Sequence, residues 1–171
     1  RLWNLNQMGK TWDEDAYVEW GYNFVNLAIK GDFNNPYWYK ISASPPLSSY
    51  LFGFPAKFDV NRFDTKGKPV FNYDYTHVRL VSVISSSLTV ILVVLFGWKY
   101  LSFFVGSLAG IILAMLPLFI GYSQLATLES LIILFFTATV FSFFNFLTSF
   151  SKKHAVFTGI LLGLALEVKY T

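Results

Sequence analysis

The apolar positions of this chain fall into two regimes that part near His77. Beyond it they form long uninterrupted runs. Leu80 to Trp98 carries no charge and is closed by Lys99; a helix crossing a ~30 Å hydrocarbon core needs about 20 such residues. A second run extends from Leu101 to Tyr122 with Pro117 inside it. A third, rich in Phe, extends from Ser130 to Phe150. A fourth resumes at Ala155 and then meets Glu167 and Lys169. The pattern predicts four transmembrane helices, about 78–98, 101–122, 128–150 and 154–171, the last truncated. A proline inside a span is tolerated because neighbouring groups satisfy the freed carbonyl.

Before His77 the apolar positions are spaced instead of continuous. Within residues 14–30, Tyr17, Trp20, Phe24, Leu27 and Ala28 recur at helical spacing, and Asp15, Glu19, Asn23, Asn26 and Lys30 fall off that face. This predicts an amphipathic helix. Thr11 with Glu14 three residues on fits a capping box, and Asp32 to Pro36 ends the pattern. A second helix is expected from Pro45 to about Phe58, with Ser44 as its cap. Its apolar face would be Leu47, Tyr50, Leu51, Phe54 and Phe58. Both helices are too short and too polar to span, and are expected to lie flat in the membrane interface. Residues 59–76 read as a turn-rich loop. Two segments result: 1–76, an external loop with two interfacial helices, and 77–171, four membrane helices.

Composition agrees with this division. Of 171 residues, 54% are hydrophobic and only 13% charged, which is unusual for a soluble domain of this size. Residues 1–76 hold eight Lys/Arg and eight Asp/Glu, whereas 77–171 hold five and two. The loops at Lys99 and at Lys152-Lys153 fall on one side and neither carries an acid, so that side is cytoplasmic by the positive-inside rule. Residues 1–76 and the turn from Gly121 to Glu129 then lie outside, where Asp13-Glu14-Asp15, Glu129 and Glu167/Lys169 converge. Ionisable groups at membrane depth are costly and point to function. The net charge of +3 is too small and scattered for a nucleic-acid partner. Absence of cysteine excludes disulfides and thiolate chemistry, and two distant histidines do not make a zinc site. The chain starts at Arg1 and stops at Thr171 inside an apolar pattern, which reads as a fragment.

Five stretches in order carry a family resemblance. WDEDAYVEWG (12–21) resembles the Asp-Glu motif in the first external loop of GT-C membrane glycosyltransferases, in the branch of the dolichyl-phosphate-mannose–protein mannosyltransferases and the lipid A aminoarabinose transferases. SPPLSSYLFG (44–53) is similar to the His-Pro-Pro-Leu segment of that loop. VRLVSVISSSLTVILVVLFGWKYL (78–101) resembles the helix that opens with Arg-Leu, and LPLFIGYSQLATLESLIILFF (116–136) the segment where Ser-Arg-Leu-Ala precedes an acid and a new helix. GILLGLALEVKYT (159–171) matches the following helix. Ser44 stands where the family often has His, Gln124 where it often has Arg, Glu129 where Asp is common, and Glu167 where an uncharged residue is usual.

The resemblance implies an all-α integral membrane protein, the amino-terminal part of a GT-C-type helical bundle. It implies inverting transfer of a hexosyl or pentosyl group from a polyprenyl-phosphate donor to an acceptor hydroxyl on a protein or glycolipid, at the external or lumenal face. The membrane would be a prokaryotic plasma membrane or the endoplasmic reticulum. Asp13 inherits the general-base role and Glu14 is its partner in the catalytic pair. Glu129, Arg79 and Lys169 are candidate substrate-binding residues, the two cations standing by the leaving phosphate. Family members differ over divalent metal, so none is assigned; no other cofactor is implied. The fragment alone is expected to be inactive. Plainer roles compete with these: acids favouring a helix start, Lys169 snorkelling, Arg79 anchoring a helix end. A polytopic transporter subunit would instead place charges deep in broken spans. A non-catalytic scaffold of the same fold would dispense with the Asp-Glu pair.

Overall fold

The computed structural model describes residues 2, 5, 9, 11–39, 46–60, 62–65, 67, 69–70 and 75–169. Ser44 and Pro45, expected to start the second helix, lie outside them, as do Tyr170 and Thr171. The elements are α1 (Trp12–Lys30), a 3-10 turn (Pro36–Tyr39), α2 (Pro46–Asp59), β1 (Arg62–Phe63), β2 (Pro69–Val70), α3 (Thr76–Tyr100), α4 (Phe103–Met115), α5 (Pro117–Gln124), α6 (Leu128–Ser149) and α7 (Lys152–Val168). The expected turn-rich loop contains a two-residue antiparallel hairpin that pairs Arg62 with Val70.

Among the described residues, α3 and α6 are long and apolar enough to cross a membrane, and α4 with α5 makes a third crossing if the bent pair is one span. Where the sequence suggests one helix over 101–122, the axis turns by 65°. Leu116 is extended (φ −63°, ψ 121°) and Pro117 opens the new helix. The residue before a proline is pushed out of the α region, and proline suits a first helical position. Here the chain restarts the helix instead of kinking it. The apolar α7 has 17 residues.

The two helices of the first segment are rotated from the expected orientation: Tyr17, Leu47 and Leu51 of the expected faces still pack against the core, but the most buried positions are others. In α1 the inward residues are Glu14, Val18, Gly21 and Val25, and in α2 Ser48, Ser49, Phe52, Gly53, Ala56 and Asp59. Tyr50, Phe54 and Phe58 project outward, with Phe58 65% exposed. The reason lies in the crossing. Gly21 and Gly53 meet so closely that a Cβ on Gly21 would stand 2.8 Å from the Gly53 nitrogen. Small residues let helix backbones touch where large apolar groups have lipid to face. The same device joins α3 to α4 through Gly97 and Gly106.

One core unites both segments: Val18, Phe52, Ala56, Tyr75, Val78, Ala126, Leu128, Leu131 and Val168. It gathers the start of α3, the start of α6 and the end of α7 beneath α1 and α2. At the other end of the bundle the Asn145 Oδ1 accepts hydrogen bonds from Lys99 Nζ and the Tyr100 hydroxyl.

Gly53→Ala is expected to destabilise the protein by about 1–3 kcal/mol, an overpacking cost, whereas Gly159→Ala, with nothing within 4 Å of the new Cβ, leaves the unfolding temperature in detergent unchanged or raised. Equal behaviour of the two variants contradicts the α1–α2 crossing.

Candidate active site

Three adjacent acids at the start of α1 point in different directions because successive helical residues are about 100° apart. Asp13 is exposed, Asp15 half-buried and Glu14 fully buried. Glu14 meets the equally buried Arg79 of α3 side-on. Arg79 Nε donates to Oε1 and Nη2 to Oε2, both at 2.8 Å. The Ala126 N–H donates to Oε1 at 2.7 Å and the Thr11 N–H to Oε2 at 3.1 Å. The rest of the guanidinium reaches backwards, Nη1 donating to the Leu5 carbonyl and Nη2 to Gly9 O at 3.2 Å. Burial raises the pKa of Glu14, but the Arg79 hydrogen bonds and the two backbone amides outweigh it and hold the carboxyl below its ordinary value near 4.5.

This clamp changes the picture of two expected site residues. Glu14, expected in the catalytic pair, already has two donors on each oxygen. Arg79, expected beside a leaving phosphate, is 0% exposed and engaged with Glu14. Both hold structure around the site: residues before α1, α1 itself, α3 and the α5–α6 turn are fixed to one another. The capping-box expectation holds for its Glu14 half, the bond from the Thr11 N–H.

The clamp sets the other residues in place. Asp13 precedes Glu14, and Glu129 follows Ala126 by one helical turn. Both carboxylates stand near Tyr17, a half-buried phenol stacked against Phe52 at 6.4 Å. Burial first, then the charges of Asp13 and Glu129, push the Tyr17 phenol up. Lys169 Nζ lies 3.3 Å from Glu129 Oε1, both side chains partly exposed. The pairing of Lys169 with Glu167 considered from sequence does not occur; Glu167 is exposed and nothing in the structure explains it. Asp13, Glu129 and Lys169 thus meet at one end of the bundle, far from Lys99.

Three further groups at this end were not singled out from sequence. Tyr17 was read only as part of an apolar face. The Tyr75 hydroxyl donates to Asp15 Oδ1, and burial together with Asp15 raises its pKa. Asp59, buried at the end of α2, accepts from the backbone amides of His77 (3.2 Å) and Val78 (3.0 Å) and contacts His77 Nδ1 at 2.6 Å. It caps α3 from another helix, which no local sequence pattern reveals. Among the described residues no three metal-ligating side chains converge.

Glu14→Gln leaves the buried guanidinium without its counter-charge and is expected to cost about 3–5 kcal/mol. The wild type should also lose stability in acid. A carboxyl whose pKa is depressed by folding contributes above its unfolded pKa, and that contribution fades as pH falls through the folded value. Unfolding temperatures in detergent between pH 7 and pH 3 check this: the variant should start lower and lose less.

No curated relative and no solved structure matches the chain. The family model for dolichyl-phosphate-mannose-protein mannosyltransferase matches residues 1–171. That family is of membrane glycosyltransferases that use a polyprenyl-phosphate-sugar donor. A match over the whole chain, on an all-α protein with apolar membrane helices, means that it belongs to the dolichyl-phosphate-mannose-protein mannosyltransferase family.

Proposed function

We propose that Asp13 is the general base for inverting sugar transfer to a protein hydroxyl at the external or lumenal membrane face, with dolichyl-phosphate mannose or a close polyprenyl-phosphate analogue as donor. One observation supports this above the rest: Asp13 stands solvent-accessible beside Tyr17 and Glu129, while its neighbour Glu14 is locked away. A base must be free to reach the hydroxyl whose proton it takes. The acceptor oxygen attacks the anomeric carbon, the bond from that carbon to the phosphate oxygen breaks, and the acceptor's proton passes to Asp13. Lys169, tethered by Glu129, faces the leaving phosphate. Tyr17, its phenol pushed up by burial and by the charges of Asp13 and Glu129, stays protonated beside them. Glu14 and Arg79 position these groups and do not touch substrate.

The same reading gives the topology. α3, α4 with α5, α6 and α7 each carry the chain across the bilayer, and α1 and α2 lie in the outer interface with Phe54 and Phe58 toward lipid. The basic turns at Lys99 and Lys152 are cytoplasmic. The broken pair α4–α5 carries no charged residue, unlike the interrupted helices of a transporter site.

Asp13→Asn in the complete protein is expected to keep the wild-type unfolding temperature and lose transfer by about 10²–10⁴-fold, measured with a lipid-phosphate sugar donor and an acceptor peptide. Turnover at the wild-type rate ends the assignment. Because the chain has no native cysteine, single cysteines report the sides cleanly. Lys57→Cys should react with an impermeant thiol reagent added outside intact cells or vesicles, and Ser149→Cys should react only after permeabilisation; the reverse pattern inverts the orientation.

A further inference from the structure

The end of the bundle away from Asp13 has a chemistry of its own. Lys99, Lys152, Lys153 and His154 gather there from the α3–α4 and α6–α7 turns. The carboxylates of α6 and α7, Glu129 and Glu167, sit at the far ends of those helices. Lys99 is held by Asn145. Lys152 and Lys153 are exposed and, among the described residues, make no ion pair. Two apolar clefts lie at this end, and the outer one alone is lined by lysines. The outer one, of about 420 Å3, runs from Lys152 and Lys153 along Val156, Phe157 and Ile160. The inner one, of about 290 Å3, lies between α3, α6 and α7. It passes Asn145 and His154 and goes on to Leu92, Phe141 and Leu161. Phe157 lines both, so it forms the ridge between them.

We propose that this end binds a diacyl anionic phospholipid, its phosphate on Lys152 and Lys153 and one acyl chain in each cleft beside Phe157. The charge is complementary: two unpaired cations with no acid nearby favour an anionic headgroup, and basic pockets between membrane helices on the cytoplasmic side hold such headgroups. The shape is complementary as well. Two clefts that part at Phe157, just beyond the first turn of α7 that carries the lysines, fit a lipid with two chains on one phosphate better than a single-chain amphiphile. The site lies at the opposite end from the sugar-transfer centre and is independent of the donor and acceptor handled there.

The test uses the complete protein in a neutral detergent and native mass spectrometry with two lipids of identical chains, dioleoyl-phosphatidylglycerol and dioleoyl-phosphatidylcholine. Preferential retention of phosphatidylglycerol is expected. Lys152→Gln with Lys153→Gln should remove that preference, by about fivefold per lysine. Ile160→Trp leaves the charge intact but fills the outer cleft, and should weaken phosphatidylglycerol retention severalfold. Equal retention of the two lipids by the wild type overturns the proposal, as does a double variant that keeps the preference. Undiminished binding by Ile160→Trp would reduce the effect to diffuse charge attraction and overturns it too.

Discussion

A carboxylate and a guanidinium removed from water together hold the working end of this protein. Glu14 and Arg79 are far apart in sequence and both fully buried. A buried pair of this kind returns its desolvation cost only when the remaining lone pairs and protons find partners. Here they do: the Thr11 and Ala126 amides supply donors, and the Leu5 and Gly9 carbonyls take the spare guanidinium protons. Four separate pieces of chain are therefore registered on one ion pair. Apolar packing alone would leave them free to slide, since apolar contacts carry no direction. The position of Asp13 relative to Glu129 inherits its accuracy from this pair.

The rest of the architecture follows from what each surface meets. A soluble protein puts large apolar groups inside and small or polar ones out. α2 departs from this in part: Phe52 and Ala56 are buried, but so are Ser48, Ser49 and Gly53, while Tyr50, Phe54 and Phe58 lie outside. Close backbone approach at Gly53 decides which face turns inward. Two buried hydroxyls of α3 need no partner on another helix. Ser85 Oγ donates to Val81 O and Thr89 Oγ1 to Ser85 O, satisfying themselves on their own helix.

This departure also explains how far the sequence could be read. Membrane helices were legible because an uncharged run from Leu80 to Trp98 has few other fates. The convergence of Asp13, Glu129 and Lys169 at one end followed from counting crossings. The inward faces of α1 and α2 were legible only in part, because the amphipathic rule assumes water on the polar side and protein on the other. Nor was the break at Pro117, since a proline in an apolar run permits a kink or a restart, and only packing chooses. Arg79 stood beside an expected helix end, where an anchor and a ligand look alike. Asp59 was invisible for a different reason: it caps a helix it does not belong to.

Adjacent acids in one helix are an unusual economy, and the geometry gives them a rationale. With about 100° between neighbours, Asp13 and Glu14 cannot share an environment. A rotation of about 100° from the buried face is enough to place the first in solvent and the second against Arg79. The charge that is neutralised keeps the helix in register, and the charge that is not remains available for chemistry. Exchange of the two environments would require α1 to rotate, and the crossing opposes that rotation because Gly21 and Gly53 meet with no room for a Cβ on either. A pair of glycines midway along two helices thereby helps to set which carboxylate of the pair faces solvent and which is buried.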